Sequence, residues 1–321
     1  MMTPTGNYSE LIDDYITFKR SLGYAMSNPY HWRDIDRFLQ SSKEQETELG
    51  ITEYQFKAWY QRRSNETARN QYDRACRLRN FSAYLTLLGY DSFIPACIKV
   101  PLRGFVPYIF SEDEMGRIFA AADHISSRNV AGSKELGSVI FRILYSTGLR
   151  VGELTALKLG DVAVNEKIPH LRIVNTKTKQ DRLVVLSPTS VEALRWYLNI
   201  RPPSVLQEVF LDCRQHHITQ GTIYTWFRQI LCEANIPHQG RGRGPRVHDL
   251  RHTFAVHSLH QMHEQGMDLY YCLPILCRFL GHESLNSTDS YVRLTAEVYP
   301  ELLENLSVVS RLVFPEVYDE T

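Results

Sequence analysis

From Asp91 to Pro107 the segment DSFIPACIKVPLRGFVP carries prolines at 95, 101 and 107 and no helical period. Proline fixes φ and lacks an N–H, so a stretch broken this often reads as an extended connection. The domain boundary falls there, with residues 1–100 as one unit, 101–109 as linker and 110–321 as the other. Two units also suit a chain of 321 residues, at ~100–200 residues per domain.

Before the linker, apolar residues recur at helical spacing and alternating β-branched runs are missing. Leu11, Ile12, Tyr15, Ile16 and Leu22 form one stripe, and Trp32, Ile35, Phe38 and Leu39 a second. Thr52 and Gln55 have the spacing of a capping box ahead of Phe56, Trp59 and Tyr60. A fourth helix is expected from about Glu66 to Leu88, stopped by Gly89, so the N-terminal unit reads as a four-helix bundle.

After the linker, Ser111 and Glu114 form another capping box. A helix from about Glu135 to Ser146 ends at Thr147-Gly148, and the next begins at Arg150 or just after. Between His170 and Leu186 the runs LRIV and RLVVL flank the polar NTKTKQD, a strand, a turn and a strand. Helices resume at Ser187-Pro188 and continue over Thr219–Ala234, from His248 to about Glu264, over Leu269–Leu280, and onward from about Ser287. The expected fold class is mainly α with a small β-hairpin or sheet.

Lys plus Arg and Asp plus Glu each number 36, which opposes a uniformly basic, nucleic-acid-coating protein. Zero is a cancellation, however. Residues 1–55 sum to −4 and the last 28 to −5, whereas Phe56–Phe105 sums to +6. The arginines of the fourth helix, Arg69 and Arg77 among them, are candidates for phosphate contacts, as are Arg241, Arg243 and Arg246 in HQGRGRGPRVH. The six cysteines lack the two-residue spacing of zinc or redox motifs, so reduced thiols are expected. No basic and apolar leader and no run of ~18 apolar residues is visible, so a cytoplasmic protein without membrane contact is expected.

Five places hold polar groups in unusual settings. In STGLRVGEL, Arg150 lies near a helix start, where the dipole disfavours a cation, so an anionic partner is invited. Glu153, three residues on, is the ordinary candidate. In PRVHDLRHTF, His248, Arg251 and His252 can share one helical face. A zinc site extended by His257, His260 and His263 is the rival reading, opposed by Arg251 between the ligands. Lys177 and Lys179 stand at the hairpin tip, and LGHESLNSTDSY sets His282 nine residues before Tyr291.

Two arginines, a lysine, two or three histidines and a tyrosine together suit phosphoryl transfer without a metal. Arginines hold nonbridging oxygens and offset charge in the transition state. A phenol of pKa ~10 needs a base or a cationic pocket before it can attack. Histidine can accept its proton, and lysine or histidine can donate one to the leaving oxygen.

These boxes resemble those of the tyrosine recombinase (phage-integrase-type) family over about Phe110–Leu294. The resemblance implies an N-terminal core-binding domain and a catalytic domain with a C-terminal tail helix. It implies Arg150, Lys177, His248, Arg251, His282 and Tyr291 as the catalytic set, with Lys179 an alternative to Lys177. It further implies cleavage and rejoining of DNA through a 3′-phosphotyrosyl link, with no cofactor and no metal. Double-stranded DNA is then the partner, bound by a homotetramer on two sites, with accessory recombinases possible in a bacterial, nucleoid-associated setting. A mobile element is the implied context, because the stretch between Arg251 and His282 is longer than in compact members of the family. A type IB topoisomerase-like enzyme and a non-catalytic regulator of the same fold are the alternatives.

Overall fold

The computed structural model describes residues 7–24, 26, 28–42, 49–100, 106–125, 133–174, 181–238, 240, 244–282, 291, 294–295 and 298–299. The chain divides into two compact units, Met1–Phe105 and Val106–Thr321.

In the first unit, α1 (Tyr8–Ser21) and α2 (Pro29–Ser41) begin at Asn7 and Asn28, whose side chains accept the backbone N–H groups of Glu10 and Tyr30. Helix α3 (Glu53–Tyr60) has the full Thr52–Gln55 capping box, and α4 (Ala68–Leu87) is capped by Thr67. The fourth helix thus starts two residues later than its apolar pattern suggests, because Thr67 accepts from Asn70 N and fixes the first turn. Tyr15, Trp32 and Phe81 meet edge to face in the core. Leu22, expected in the apolar stripe, is 57% exposed because α1 ends at Ser21 and Leu22 already leaves the helical face.

One cation of the basic stretch is not on the surface. Arg74 is buried, donating to the carbonyls of Trp59 and Gln61 and pairing with Glu66 at 2.7 Å. The pair holds the Glu66 carboxyl below the usual carboxylate range, chiefly through the hydrogen bond from Arg74. Arg69 is exposed on α4 and paired with Asp73, and Arg77 is half-buried.

The second unit opens with α5 (Glu112–His124), started by the Ser111–Glu114 capping box, followed by α6 (Ser133–Thr147) and the short α7 (Val151–Thr155). The expected hairpin belongs to a three-stranded antiparallel sheet in the order β1 (Val162–Ala163), β2 (His170–Ile173), β3 (Arg182–Val185). Leu171 pairs with Val162 on one side and Val184 on the other. Helices α8 (Pro188–Ile200), α9 (Gln220–Glu233), α10 (Asp249–Glu264) and α11 (Leu269–Leu280) complete the described α-helices. His248 lies just before α10 as its N-cap, not inside it. The large core gathers α5, α6, α8 and α9 around Phe110, Phe141 and Phe227. A smaller cluster joins α10 to α11 and includes Tyr291 and Leu294. The helix expected from about Ser287 and the C-terminal tail helix fall largely or wholly outside the described residues. Among the described residues, no helix is long and apolar enough to cross a membrane.

Candidate active site

The junction between α6 and α7 sets the first arginine. Gly148 has φ +59°, in the left-handed region, and a Cβ there would lie 2.6 Å from Phe254 and 2.7 Å from Leu280. Both conformation and space therefore require glycine. The turn delivers Arg150 to the N-cap of α7, where Nη1 donates to Glu153 Oε1 at 2.8 Å and Nη2 to the Gly281 carbonyl at 3.3 Å. Glu153 Oε2 also accepts from Arg150 N at 3.0 Å. The carboxylate offsets the cation that the helix dipole disfavours, as the sequence suggests for Glu153.

The second arginine is the most deeply set. Arg251, on the first turn of α10, is 2% exposed and donates from Nη1 to the Gly148 carbonyl at 2.6 Å and from Nη2 to the Leu280 carbonyl at 2.8 Å. Burial first, and then Arg150, lower its pKa to about 10, so it stays cationic at neutral pH. Two carbonyls thus fix the guanidinium in place and leave its charge uncancelled by either.

Arg182, not singled out from sequence, is the third cation. It begins β3 with its side chain only 8% exposed and pairs with Glu153 at 2.7 Å. Burial alone would raise the Glu153 pKa, but Arg182 and then Arg150 outweigh it and bring it to about 2. One carboxylate therefore faces Arg150 and Arg182 together, while Arg251 lies nearby on carbonyls. The balance around the site is positive.

Three histidines close on the tyrosine. His252 Nδ1 is 2.9 Å from Tyr291 Oη. The His248 and His252 rings meet edge on at 4.9 Å, and the His282 ring lies 6.0 Å from the Tyr291 ring, nearly parallel at 16°. Burial, followed by Arg251 and Arg150, lowers His248 and His282 to about 4 each. Tyr291 is 2% exposed. Burial pushes its pKa above the ordinary phenol value, against a downward pull from Arg251 and Arg150.

Arg150, His248, Arg251, His282 and Tyr291 therefore come together at the starts of α7 and α10 and the end of α11. Arg246 is beside them, and donates from its backbone and its Nη2 to Asp249 at 2.8 and 3.3 Å. Lys177, Lys179, Arg241 and Arg243 lie outside the described residues. Arg182 is not legible in the sequence, because a charged residue at a strand start reads as solvated and its partner Glu153 lies 29 residues away. His252 was noticed on the shared face without a partner, since no local pattern links it to a residue 39 positions away. Among the described residues, no cluster of three or more His, Cys, Asp or Glu is placed to hold a metal ion.

A buried phenol among guanidiniums and neutral imidazoles has the groups that phosphoryl transfer to a tyrosine requires. Residues 109–297 match the model of the phage integrase family. The chain is 27% identical to the integrase/recombinase y4rB of Sinorhizobium fredii, over 93% of this chain and 96% of that protein. It is 25% identical to the tyrosine recombinase XerA of Pyrococcus horikoshii, over 74% of each. The fold matches the XerH site-specific recombinase bound to its difH substrate, with TM-score 0.66 and 19% identity over 95% of this chain and 86% of that one. It also matches the Tn1549 transposon integrase in complex with transposon right end DNA, with TM-score 0.63 and 14% identity over 92% and 100%. The chain belongs to the phage integrase family and is a tyrosine recombinase.

Proposed function

We propose that Tyr291 attacks a DNA phosphodiester, forming a 3′-phosphotyrosyl link and releasing a 5′-hydroxyl, in the integration or excision of a mobile element. The supporting observation is the gathering of Arg150, Arg251, His248 and His282 around one buried phenol. Arg150 and Arg251 bind the nonbridging oxygens and offset the charge that grows on them in the transition state. Glu153 holds Arg150 in place. His248 and His282, mostly neutral at pH 7, hydrogen-bond the phosphate or relay protons. Lys177, with Lys179 as alternative, protonates the departing 5′ oxygen. Bond energy is conserved in the phosphotyrosine, so a partner strand's hydroxyl reverses the step.

The N-terminal unit serves as a core-binding domain, with Arg69 and Arg77 on phosphates; Arg241, Arg243, Arg246 and Lys179 contact DNA from the catalytic unit. Four protomers act on two sites, in the bacterial cytoplasm at the nucleoid, and accessory recombinases are compatible with this arrangement. The test uses duplexes tiled across the DNA flanking its own gene, each nicked so that a cleaved strand is trapped, in buffer containing chelator. A covalent protein–DNA adduct forms with the wild type and not with Tyr291→Phe; an adduct that survives the substitution refutes the assignment. Plasmids carrying two such sites yield exchanged products, whereas a relaxing enzyme changes only their linking number.

A further inference from the structure

His252 follows Arg251 on α10, and its Nδ1 is 2.9 Å from the hydroxyl oxygen of Tyr291. We propose that His252 is a catalytic residue of strand cleavage, the base that accepts the phenolic proton as Tyr291 attacks. This rests on the reading of Tyr291 as the nucleophile.

The short contact supports the assignment. Arg251 acts on the phenol by its charge, drawing its pKa down. In the tautomer that carries its proton on Nε2, His252 presents the Nδ1 lone pair to the phenolic proton. His252 is able to accept it. Burial, followed by His248, Arg251, Arg246 and His282, lowers its pKa to about 3, so the ring is neutral. Neighbouring candidates are worse placed. The His282 ring stands 6.0 Å from the phenol ring, farther than the His252 ring at 5.5 Å. Glu153 and Asp249 are engaged by arginines.

A base this weak in free protein becomes stronger when substrate arrives. The phosphodiester anion held by Arg150 and Arg251 cancels part of the cationic field on His252, so DNA occupancy raises its basicity. Deprotonation of the nucleophile is thereby tied to a filled site. As the bond from Tyr291 Oη to phosphorus forms, the phenolic proton passes to His252 Nδ1. The bond from phosphorus to the 5′ oxygen breaks, that oxygen keeps the electron pair, and it takes a proton from the general acid. The imidazolium releases its extra proton to solvent or returns it to the phenolate on rejoining.

The test is single-turnover cleavage of the nicked duplex by His252→Asn and His252→Ala. Asparagine keeps a hydrogen-bonding group facing Tyr291 but cannot take up a proton, and it carries the test if the alanine variant does not fold. Both variants bind the duplex as the wild type does and cleave ~10²–10⁴-fold more slowly. Their rates rise about tenfold per pH unit between about pH 6 and 8, as hydroxide replaces the base, where the wild-type rate is flat. Added imidazole accelerates His252→Ala. A duplex with a bridging 5′ sulfur, which leaves without protonation, does not remove the deficit. The proposal is overturned if His252→Asn cleaves within about threefold of wild type with an unchanged pH profile. It is equally overturned by a loss that is the same at every pH and insensitive to imidazole, or by full rescue with the sulfur duplex. Failure of the underlying reading looks different, because Tyr291→Phe would then still form the adduct.

Discussion

Arg182 and Glu153 form a buried two-bond ion pair, Nη2 to Oε2 at 2.7 Å and Nη1 to Oε1 at 3.1 Å, with Arg182 Nε on the Phe279 carbonyl at 3.0 Å. The pair links the start of β3 to α7, and the Nε bond links it to the end of α11. It also fixes the carboxylate that holds Arg150, so Arg182 reaches the candidate site through a neighbour.

Removing one partner of a buried pair costs ~3–5 kcal/mol where the other charge is left alone; here Arg150 still holds Glu153, so the loss is smaller. Arg182→Ala therefore lowers the urea midpoint of the C-terminal unit and weakens cleavage. The folded pKa of Glu153, about 2, lies below its ordinary value of 4.5, so its contribution is complete above about pH 4.5 and is lost as pH falls toward 2. In urea titrations across that window, Glu153→Gln flattens the acid-side decline of stability. An unchanged decline would remove Glu153 from this role.

Gly148→Ala meets two obstacles at once, a left-handed backbone and a Cβ within 3 Å of Phe254 and Leu280. The substitution costs ~1–3 kcal/mol, since crowding in a packed core adds to the strain. It also displaces the Gly148 carbonyl that anchors Arg251. Cleavage falls more than DNA affinity does, which adduct formation and gel-shift titration measure separately.

Local chemistry was legible where it is encoded by neighbours in sequence. The Thr52–Gln55 and Ser111–Glu114 boxes start helices where their side chains reach back to close the first turn. The span of α11 was readable from its apolar run despite Pro274 within it. Strand β1 was not, because two residues carry no period and Val162–Ala163 become a strand only by pairing with β2. The burial of Arg74 was equally hidden, since its carbonyl partners come from the end of α3 and the loop after it. At the site, the spacing of His248, Arg251 and His252 announced a shared helix face, while the contact between His252 and Tyr291 depends on how the later segment packs on α10.

The site histidines yield a prediction for DNA-free protein. With pKa values near 4 for His248 and His282 and near 3 for His252, their ring resonances do not titrate between about pH 8 and 5.5 in NMR spectra. The stability sign follows from linkage. The unfolded chain takes up protons near pH 6.5 and the folded site only near 4, so these groups reduce stability as pH falls through that interval. A site resonance moving with a midpoint near 6.5 would contradict the burial that neutralises these rings.

Arg74 and Arg77 stand three residues apart on α4 yet respond differently to truncation. Arg74 is enclosed with Glu66, their side chains 6% and 9% exposed, so Arg74→Ala leaves a buried carboxylate unpaired at ~3–5 kcal/mol and destabilises the N-terminal unit. Arg77 is half-buried with no comparable ion pair among the described residues. As a phosphate contact it contributes affinity independent of sequence, and Arg77→Ala lowers the slope of log affinity against log salt by about 0.9. Thermal melts and salt titrations on cognate and random duplexes separate the two effects. Arg77→Ala keeps the melting temperature and weakens both duplexes alike, and a loss confined to the cognate duplex would instead assign Arg77 to base reading.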